Sequence, residues 1–157
     1  MIKYCKEKWN ANKEKLEAVL RNDTHLNDCD YMYLLKLTVE NILNTGIDTF
    51  TERDRLSVEN ITEVDNGDYQ GTLLFLIPYD CYQPNEMEYL MTFIDYGSCS
   101  GCDTLMGIQD YGEKPPTEDQ VKEYMMLCKD MIMNMIKPYN YGWRYNKKYE
   151  VVEEIKE

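Results

Sequence analysis

Basic residues are scarce in this sequence, which contains four arginines, at positions 21, 53, 55 and 144, and one histidine. Together Lys and Arg number 17 against 29 Asp and Glu, so the formal net charge is −12. Proteins that bind nucleic acid directly do so through Lys and Arg on the phosphates. The charge balance therefore argues against direct nucleic-acid binding, and the single histidine excludes motifs that need two histidines on a metal.

Long apolar segments are also lacking. No run approaches the roughly 20 apolar residues that span a bilayer, and residues 1–10 lack the apolar stretch of a signal peptide. The chain has no glycine-rich dinucleotide motif, no phosphate-binding loop and no G-x-S-x-G nucleophile elbow. We therefore expect a cytoplasmic protein, in the cytosol of a host cell, with no membrane partner and no cofactor.

The composition is that of a folded domain. Of the 157 residues, 43% are hydrophobic and 12% are aromatic. A chain of this length buries roughly 70% of the surface that its unfolded form exposes, so disulfides are not required. The six cysteines are then free thiols in a reducing compartment. We interpret Cys5, Cys81 and Cys128 as buried small hydrophobic residues.

The N-terminal region, residues 1–45, has the pattern of a helical hairpin. Apolar residues recur at helical spacing from Ile2 to Leu20 and again from Tyr31 to Leu43, with turn-forming residues between them. Gly46 is placed to end the second helix.

Residues 50–96 change to the pattern of antiparallel strands. A strand at Leu56–Val64, a hairpin turn at residues 65–68 and a second strand at 69–79 are predicted. Residues 88–96 are predicted to form a third strand. Its buried face is undecided and consists either of Leu90 and Ile94 or of the alternate residues Tyr89, Met91, Phe93 and Asp95.

The C-terminal part contains predicted helices in residues 103–137 and a terminal strand in residues 139–155. Thr117 and Gln120 form a capping box at the start of a long amphipathic helix with an apolar stripe that reaches Ile136. The order of elements predicts one α+β domain over residues 1–157. Its antiparallel sheet of three to four strands packs with the N-terminal helices and the long C-terminal helix.

A C-x-x-C motif, Cys99 and Cys102, lies between the third strand and the next helix. It has three interpretations. The pair could be a thiol-redox site, although Asp95 and Asp103 nearby oppose a thiolate. It could be half of a zinc site that His25 and Cys29 complete. The favoured interpretation is a structural turn in which Gly97 and Gly101 supply a positive φ and Asp103 or Ser98 caps the helix.

Two segments around this motif resemble a known family. The sequences Asp68-Tyr69-Gln70-Gly71-Thr72 and Asp95-Tyr96-Gly97-Ser98-Cys99-Ser100-Gly101-Cys102-Asp103-Thr104-Leu105 are similar to paired motifs of small phage and prophage proteins of low-GC bacteria. The resemblance covers residues 65–137 and implies a mobile-element origin. The family has no assigned chemistry, so it implies no catalytic residue.

The leading hypothesis is a non-enzymatic acidic binding protein that acts on a basic or nucleic-acid-handling host protein. One form is an inhibitor of an antiviral nuclease system, an anti-CRISPR-like nucleic-acid mimic. Its predicted contact residues lie in the terminal segment, where Tyr141, Trp143 and Tyr145 alternate with polar residues and are followed by Glu150, Glu153 and Glu154. Two alternatives stay open, namely that these rings pack inward and that the acidity only keeps the protein soluble. The alternative function is a thiol-redox or zinc-dependent protein centred on Cys99 and Cys102.

Overall fold

A long amphipathic helix begins the chain in the computed structural model, which describes residues 1–47, 54–139 and 148–149. This helix, α1 (Ile2–Asn22), buries Cys5, Trp9, Leu16 and Leu20 on one face. A short 3-10 turn at Leu26–Asp28 leads to α2 (Tyr31–Thr38), whose first turn is capped by the Asp30 carboxylate on the N–H of Tyr33.

The second helix continues beyond α2 as a π-helical segment, Val39–Leu43. Gly46 follows with φ +78°, which fits the helix-ending role that its position predicts. Along α2 and this segment the buried residues are Tyr31, Leu34, Leu35, Thr38, Val39, Asn41, Ile42 and Leu43.

Three antiparallel strands form the main sheet in the order β1-β2-β3. They are β1 (Thr62–Asp65), β2 (Gly71–Pro78) and β3 (Tyr89–Tyr96). The first strand is shorter than the predicted one: Leu56 makes only an isolated bridge to Tyr79, and Val58–Asn60 is a 3-10 turn. The β1–β2 hairpin forms where predicted, across a loop of residues 66–70.

The pairing of β2 with β3 decides which face of the third strand is buried. Phe75 pairs with Thr92, Leu73 with Ile94 and Ile77 with Leu90, and all six side chains are buried. Leu90, Thr92 and Ile94 therefore face the helices. Met91 and Phe93 lie on the opposite face and are half-buried, so the strand is apolar on both faces.

The C-terminal helices are α3 (Thr104–Ile108) and α4 (Glu118–Met133). The capping box is confirmed, since Gln120 N–H donates to Thr117 Oγ1 and Thr117 N–H donates to Gln120 Oε1. Helix α4 lies on the buried face of the sheet, where the Thr92 hydroxyl donates to the Met131 carbonyl. Both α1 and α2 pack against α4, which places the core between helices and sheet.

The long helix ends earlier than predicted. Asn134 closes α4, and its side-chain amide donates to the Phe93 carbonyl. Ile136 then exchanges two backbone hydrogen bonds with Met91 of β3, so it extends the sheet rather than the helical stripe. The helix ends before Ile136 because the backbone of Ile136 pairs with the edge strand β3 and cannot also continue the helix.

Of the terminal strand predicted over residues 139–155, the structure describes Tyr139, Lys148 and Tyr149. Two short strands, β4 (Pro138–Tyr139) and β5 (Lys148–Tyr149), pair with each other in antiparallel fashion. The rest of the predicted strand lies outside the described residues. Among the described helices, none has the length and apolar character that a bilayer crossing requires. The α+β fold predicted from the sequence is confirmed.

Candidate functional site

The two segments that carry the family resemblance are neighbours in the sheet. Gly71 pairs with Tyr96 and Thr72 pairs with Asp95 across β2 and β3. The Thr72 hydroxyl also donates to the Asp95 carboxylate over 2.6 Å. Both segments thus meet at one end of the sheet, formed by residues 65–71 and 96–103, which we name the hairpin end.

Asp103 ties the turn at the hairpin end to the helices. One carboxylate oxygen accepts hydrogen bonds from the N–H of Met106, at 2.8 Å, and from the hydroxyl of Tyr31, at 3.2 Å. Its other oxygen accepts from the Gly97 N–H at 3.0 Å. The structure therefore places Asp103 as the N-cap of α3, while sequence reasoning missed Tyr31, which lies 72 positions away.

The expected positive φ at Gly97 or Gly101 is wrong. Among the glycines that the structure describes, only Gly46 and Gly112 have positive φ. Gly97 is instead required by close approach, because an added Cβ would overlap the Cys102 carbonyl and lie 2.7 Å from Cys102 Sγ. At Gly101 an added Cβ would meet no atom within 4 Å.

The cysteine pair lies on the outside of this turn. Cys99 and Cys102 are both exposed free thiols, with their sulfur atoms 2.7 Å apart. The backbone reverses between them, since Cys102 N–H donates to the Cys99 carbonyl at 2.9 Å. Cys99 N–H in turn donates to Cys102 Sγ at 3.1 Å. These two donors from Cys99, the thiol foremost, hold the pKa of Cys102 below its ordinary value.

The two carboxylates expected to oppose a thiolate are directed elsewhere. Asp95 accepts the Thr72 hydroxyl. Asp103 is buried and accepts hydrogen bonds from three donors in the turn and the helices. Neither carboxylate makes a hydrogen bond with Cys102, whose pKa depends on hydrogen bonds from Cys99 and Ser98 and on desolvation.

The zinc interpretation finds no assembled site. Within the described ranges, no group of three or more His, Cys, Asp or Glu side chains is placed to hold a metal ion. His25 is exposed, with its ring edge-on to Tyr33 at a centroid distance of 6.4 Å. Burial, with Asp30 and Asp23 nearby, raises the pKa of Cys29 to about 12. His25 and Cys29 thus do not complete a site with Cys99 and Cys102 in this structure.

The remaining cysteines differ from the prediction at one position. Cys5 and Cys128 are buried, and burial raises their pKa values to about 11 and about 12. Cys81, expected to be buried, is exposed in the connection between β2 and β3. Its position just beyond the end of β2 places it outside the alternation that buries the strand residues.

Acidic side chains converge beside the hairpin end. Glu63 and Asp65 are register partners of Phe75 and Leu73, so they lie on the helix-facing side of edge strand β1. The hydroxyl of Tyr96 donates to Asp65 over 2.8 Å. This hydrogen bond raises the pKa of Tyr96, and desolvation with the negative charges of Asp65, Asp68 and Glu63 adds to the rise. We name Glu63, Asp65 and Asp68 the acidic cluster.

The start of α2 brings a further carboxylate toward this cluster. Desolvation raises the pKa of Glu63, and the negative charges of Asp30 and Asp65 raise it further. Asp30 and Glu63 are far apart in sequence and come together only through the tertiary fold. No local pattern could have identified the pair.

Aromatic exposure is greatest in loops. Tyr69, in the hairpin loop next to Asp68, exposes 82% of its surface, and Tyr82 and Tyr111 are also exposed. The predicted contact residues lie outside the described residues: Tyr141, Trp143, Tyr145, Glu150, Glu153 and Glu154. Tyr69 belongs to one of the two family-like segments, but sequence reasoning did not single it out as a contact residue.

Comparison with known proteins gives no match: no family model, no curated protein and no solved structure matches the chain. What the hairpin end does must therefore be inferred from its own residues.

Proposed function

We propose that this chain is a non-enzymatic acidic binding protein whose partner is a basic, nucleic-acid-handling host protein. The acidic cluster carries the proposal. Among the described residues, Glu63, Asp65 and Asp68 take part in no ion pair. The negative charges of Asp30 and Asp65 repel the Glu63 carboxylate, and a cationic surface would relieve that repulsion.

Some acidic side chains of the described residues are paired with arginine within the fold. Arg21 contacts Glu17 at 2.8 Å and Glu118 at 2.9 Å, and Arg55 contacts Glu40 at 2.7 Å. The acidic cluster is distinguished by its grouping, because the negative charges of Asp65, Asp68 and Glu63 all raise the pKa of Tyr96. This grouping supports a role beyond the general acidity that keeps a protein soluble. Exposed charges of this kind act mainly on the rate and selectivity of association.

The surroundings of the acidic cluster are suited to a protein partner. Tyr69 offers an exposed aromatic ring beside the charges, and tyrosine is a common anchor at interfaces. All four residues of β1 are exposed, and β1 pairs with β2 alone in the described sheet. A partner can therefore contact charge, ring and strand edge together.

The finer form of the proposal is an inhibitor from a mobile element that occupies the nucleic-acid channel of an antiviral nuclease. Its support is the net charge of −12 and the family-like segments that meet at the hairpin end. Carboxylates can stand in for phosphates in such a channel, because both present anionic oxygens to Lys and Arg. Tyr141, Trp143, Tyr145, Glu150, Glu153 and Glu154 stay predicted contact residues.

The test replaces the acidic cluster by lysine in a triple variant, Glu63→Lys, Asp65→Lys and Asp68→Lys. Tagged wild type and variant are used to capture proteins from a low-GC bacterial lysate at low and high salt. We expect wild type to retain a basic protein at low salt and to lose it at high salt or on addition of duplex DNA. The variant should retain none at either salt concentration.

A matched control variant changes charge elsewhere by the same amount. Glu14, Glu113 and Glu123 are exposed glutamates away from the acidic cluster, and the control carries lysine at all three. We expect the control to behave as wild type. Equal loss in both variants would show that only net charge matters, and equal retention in both would contradict the proposal.

A further inference from the structure

The exposed cysteine pair at the hairpin end takes no part in the proposed binding function, yet its geometry is that of a reactive dithiol. A hydrogen bond from the N–H of residue i+3 to the carbonyl of residue i closes a turn and keeps the two Cα atoms within about 7 Å. A disulfide needs a Cα separation of about 4.4 to 6.8 Å. Cys99 and Cys102 make such a turn, with thiol sulfurs 2.7 Å apart.

The two thiols are not equivalent. Cys102 Sγ lies within reach of the Cys99 N–H and the Cys99 thiol, and the Ser98 hydroxyl is at 3.9 Å. Donors of this kind favour a thiolate at Cys102. Cys102 can also donate to the Cys99 carbonyl, at 3.3 Å, while it is protonated.

We propose that Cys99 and Cys102 form a redox-active dithiol that small-molecule disulfides oxidise to an intramolecular disulfide, with Cys102 as the attacking thiolate. Both thiols are exposed, so a small disulfide reaches them without opening the fold. The proposal does not depend on the binding function.

The reaction proceeds in two exchanges. The Cys102 thiolate attacks one sulfur of the small disulfide, whose S–S bond breaks as a Cys102 mixed disulfide forms and one thiolate leaves. The Cys99 thiol then loses its proton and attacks the Cys102 sulfur, which expels the second thiolate. The two cysteine protons end on the two departing thiols. The cysteines are oxidised by two electrons, and the small disulfide is reduced to two thiols.

The experiment uses the reduced full chain and bis(2-hydroxyethyl) disulfide, an uncharged probe that the acidic protein does not repel. Reaction is quenched with acid at set times, and mass spectrometry with peptide mapping locates each product. In wild type we expect loss of two hydrogen atoms, a Cys99–Cys102 bond and no lasting adduct on either residue. Lasting adducts on Cys99 or Cys102 in place of that bond would overturn the proposal.

Single substitutions identify the attacking thiol. With Cys81→Ser as background, Cys99→Ser keeps a hydroxyl donor beside Cys102 and should trap the probe there as a stable mixed disulfide. Cys102→Ser in the same background should react more slowly at Cys99. Faster reaction at Cys99 than at Cys102 would contradict the assignment. Should a variant fail to fold, early quenching of wild type shows which residue carries the first adduct.

Cys81 serves as the matched control thiol. It is exposed like the pair, but partial desolvation and the nearby Glu88 carboxylate raise its pKa. Near pH 7 we expect Cys102 in the Cys81→Ser, Cys99→Ser variant to react at least about threefold faster than Cys81 in the Cys99→Ser, Cys102→Ser variant. Equal rates would show that the turn confers no special reactivity.

Discussion

At the scale of single residues, Asp103 organises the hairpin end. Its two oxygens accept hydrogen bonds from the turn, from α3 and from Tyr31 of α2. The Tyr31 hydroxyl also accepts the Leu105 N–H at 3.2 Å. Two buried side chains, Asp103 and Tyr31, thus bring together three parts of the backbone. They support the turn that carries the exposed cysteines.

A pair of glycine substitutions tests how tightly this turn is packed. Gly97→Ala should lower the free energy of unfolding by about 2 kcal/mol, because its Cβ overlaps the Cys102 carbonyl. Gly101→Ala is the matched control in open space and should change stability by no more than about 0.5 kcal/mol, or raise it slightly. Urea denaturation of both variants measures the difference, and equal effects would refute the close-approach explanation.

At the scale of elements, the start of α4 is joined to two other parts of the chain. Gln120 completes the capping box with Thr117, and its amide also donates to the Ile108 carbonyl at 2.9 Å and to Asn27 Oδ1 at 3.1 Å. Asn27 is fully buried and also accepts the Tyr124 hydroxyl. The cap therefore fixes where α4 lies as well as where it starts.

The capping box predicts unequal effects of two alanine substitutions. Thr117→Ala removes one capping acceptor and should cost about 1 kcal/mol. Gln120→Ala also removes donors to the buried Asn27 and to Ile108, so it should cost about 2 kcal/mol. Thermal and urea unfolding check the order. A larger loss for Thr117→Ala would mean that the links to Asn27 and Ile108 contribute little.

Element types were more predictable than their limits or contacts. The periodicity of α1 and α4 and the turn at residues 65–68 are local signals, and the structure has these elements. The buried face of β3 could not be predicted, because Met91 and Phe93 are as apolar as Leu90 and Ile94. The end of α4 depends on a pairing with Met91 far away in sequence.

The features of the candidate site that depend on local sequence were also predicted better than those that depend on tertiary packing. The proximity of Cys99 and Cys102 and the cap at Asp103 follow from local spacing. The approach of Asp30 to Glu63 depends on helix–sheet packing, as does the hydrogen bond from Tyr31 to Asp103. The predicted reason for a glycine at position 97 was wrong. A sequence shows that a glycine is present, but it does not show whether a positive φ or a close contact requires it.

At the scale of the whole molecule, the net charge of −12 sets how stability responds to pH and salt. Desolvation raises the pKa of Glu63 and of Asp130 in the folded chain, with Asp30 adding to the effect on Glu63. A carboxyl with a raised folded pKa stabilises the fold below its unfolded pKa near 4. That contribution is lost as pH rises through the folded value.

Lowering the pH from about 8 to about 5.5 should therefore raise the temperature of unfolding, or leave it unchanged, since mutual repulsion among carboxylates also weakens. Added salt should raise it at about pH 8 and have less effect at about pH 5.5. Circular dichroism melts at two salt concentrations measure both. A fall in the unfolding temperature over this range would contradict the expectation, because carboxylates with lowered pKa, such as Glu118 beside Arg21, stay ionised at about pH 5.5 in the folded and the unfolded chain.

The packing of α1 against α4 has a consequence for synthesis on the ribosome. The first helix emerges long before its partner, and roughly 100 residues, or about 5 to 20 s of translation, separate the two. During that interval the apolar stripe with Leu16 and Leu20 has no α4 to cover it. Until α4 has left the exit tunnel, we expect the segment Val39–Leu43 to be the main cover of this apolar stripe, so that the core can close only late in synthesis.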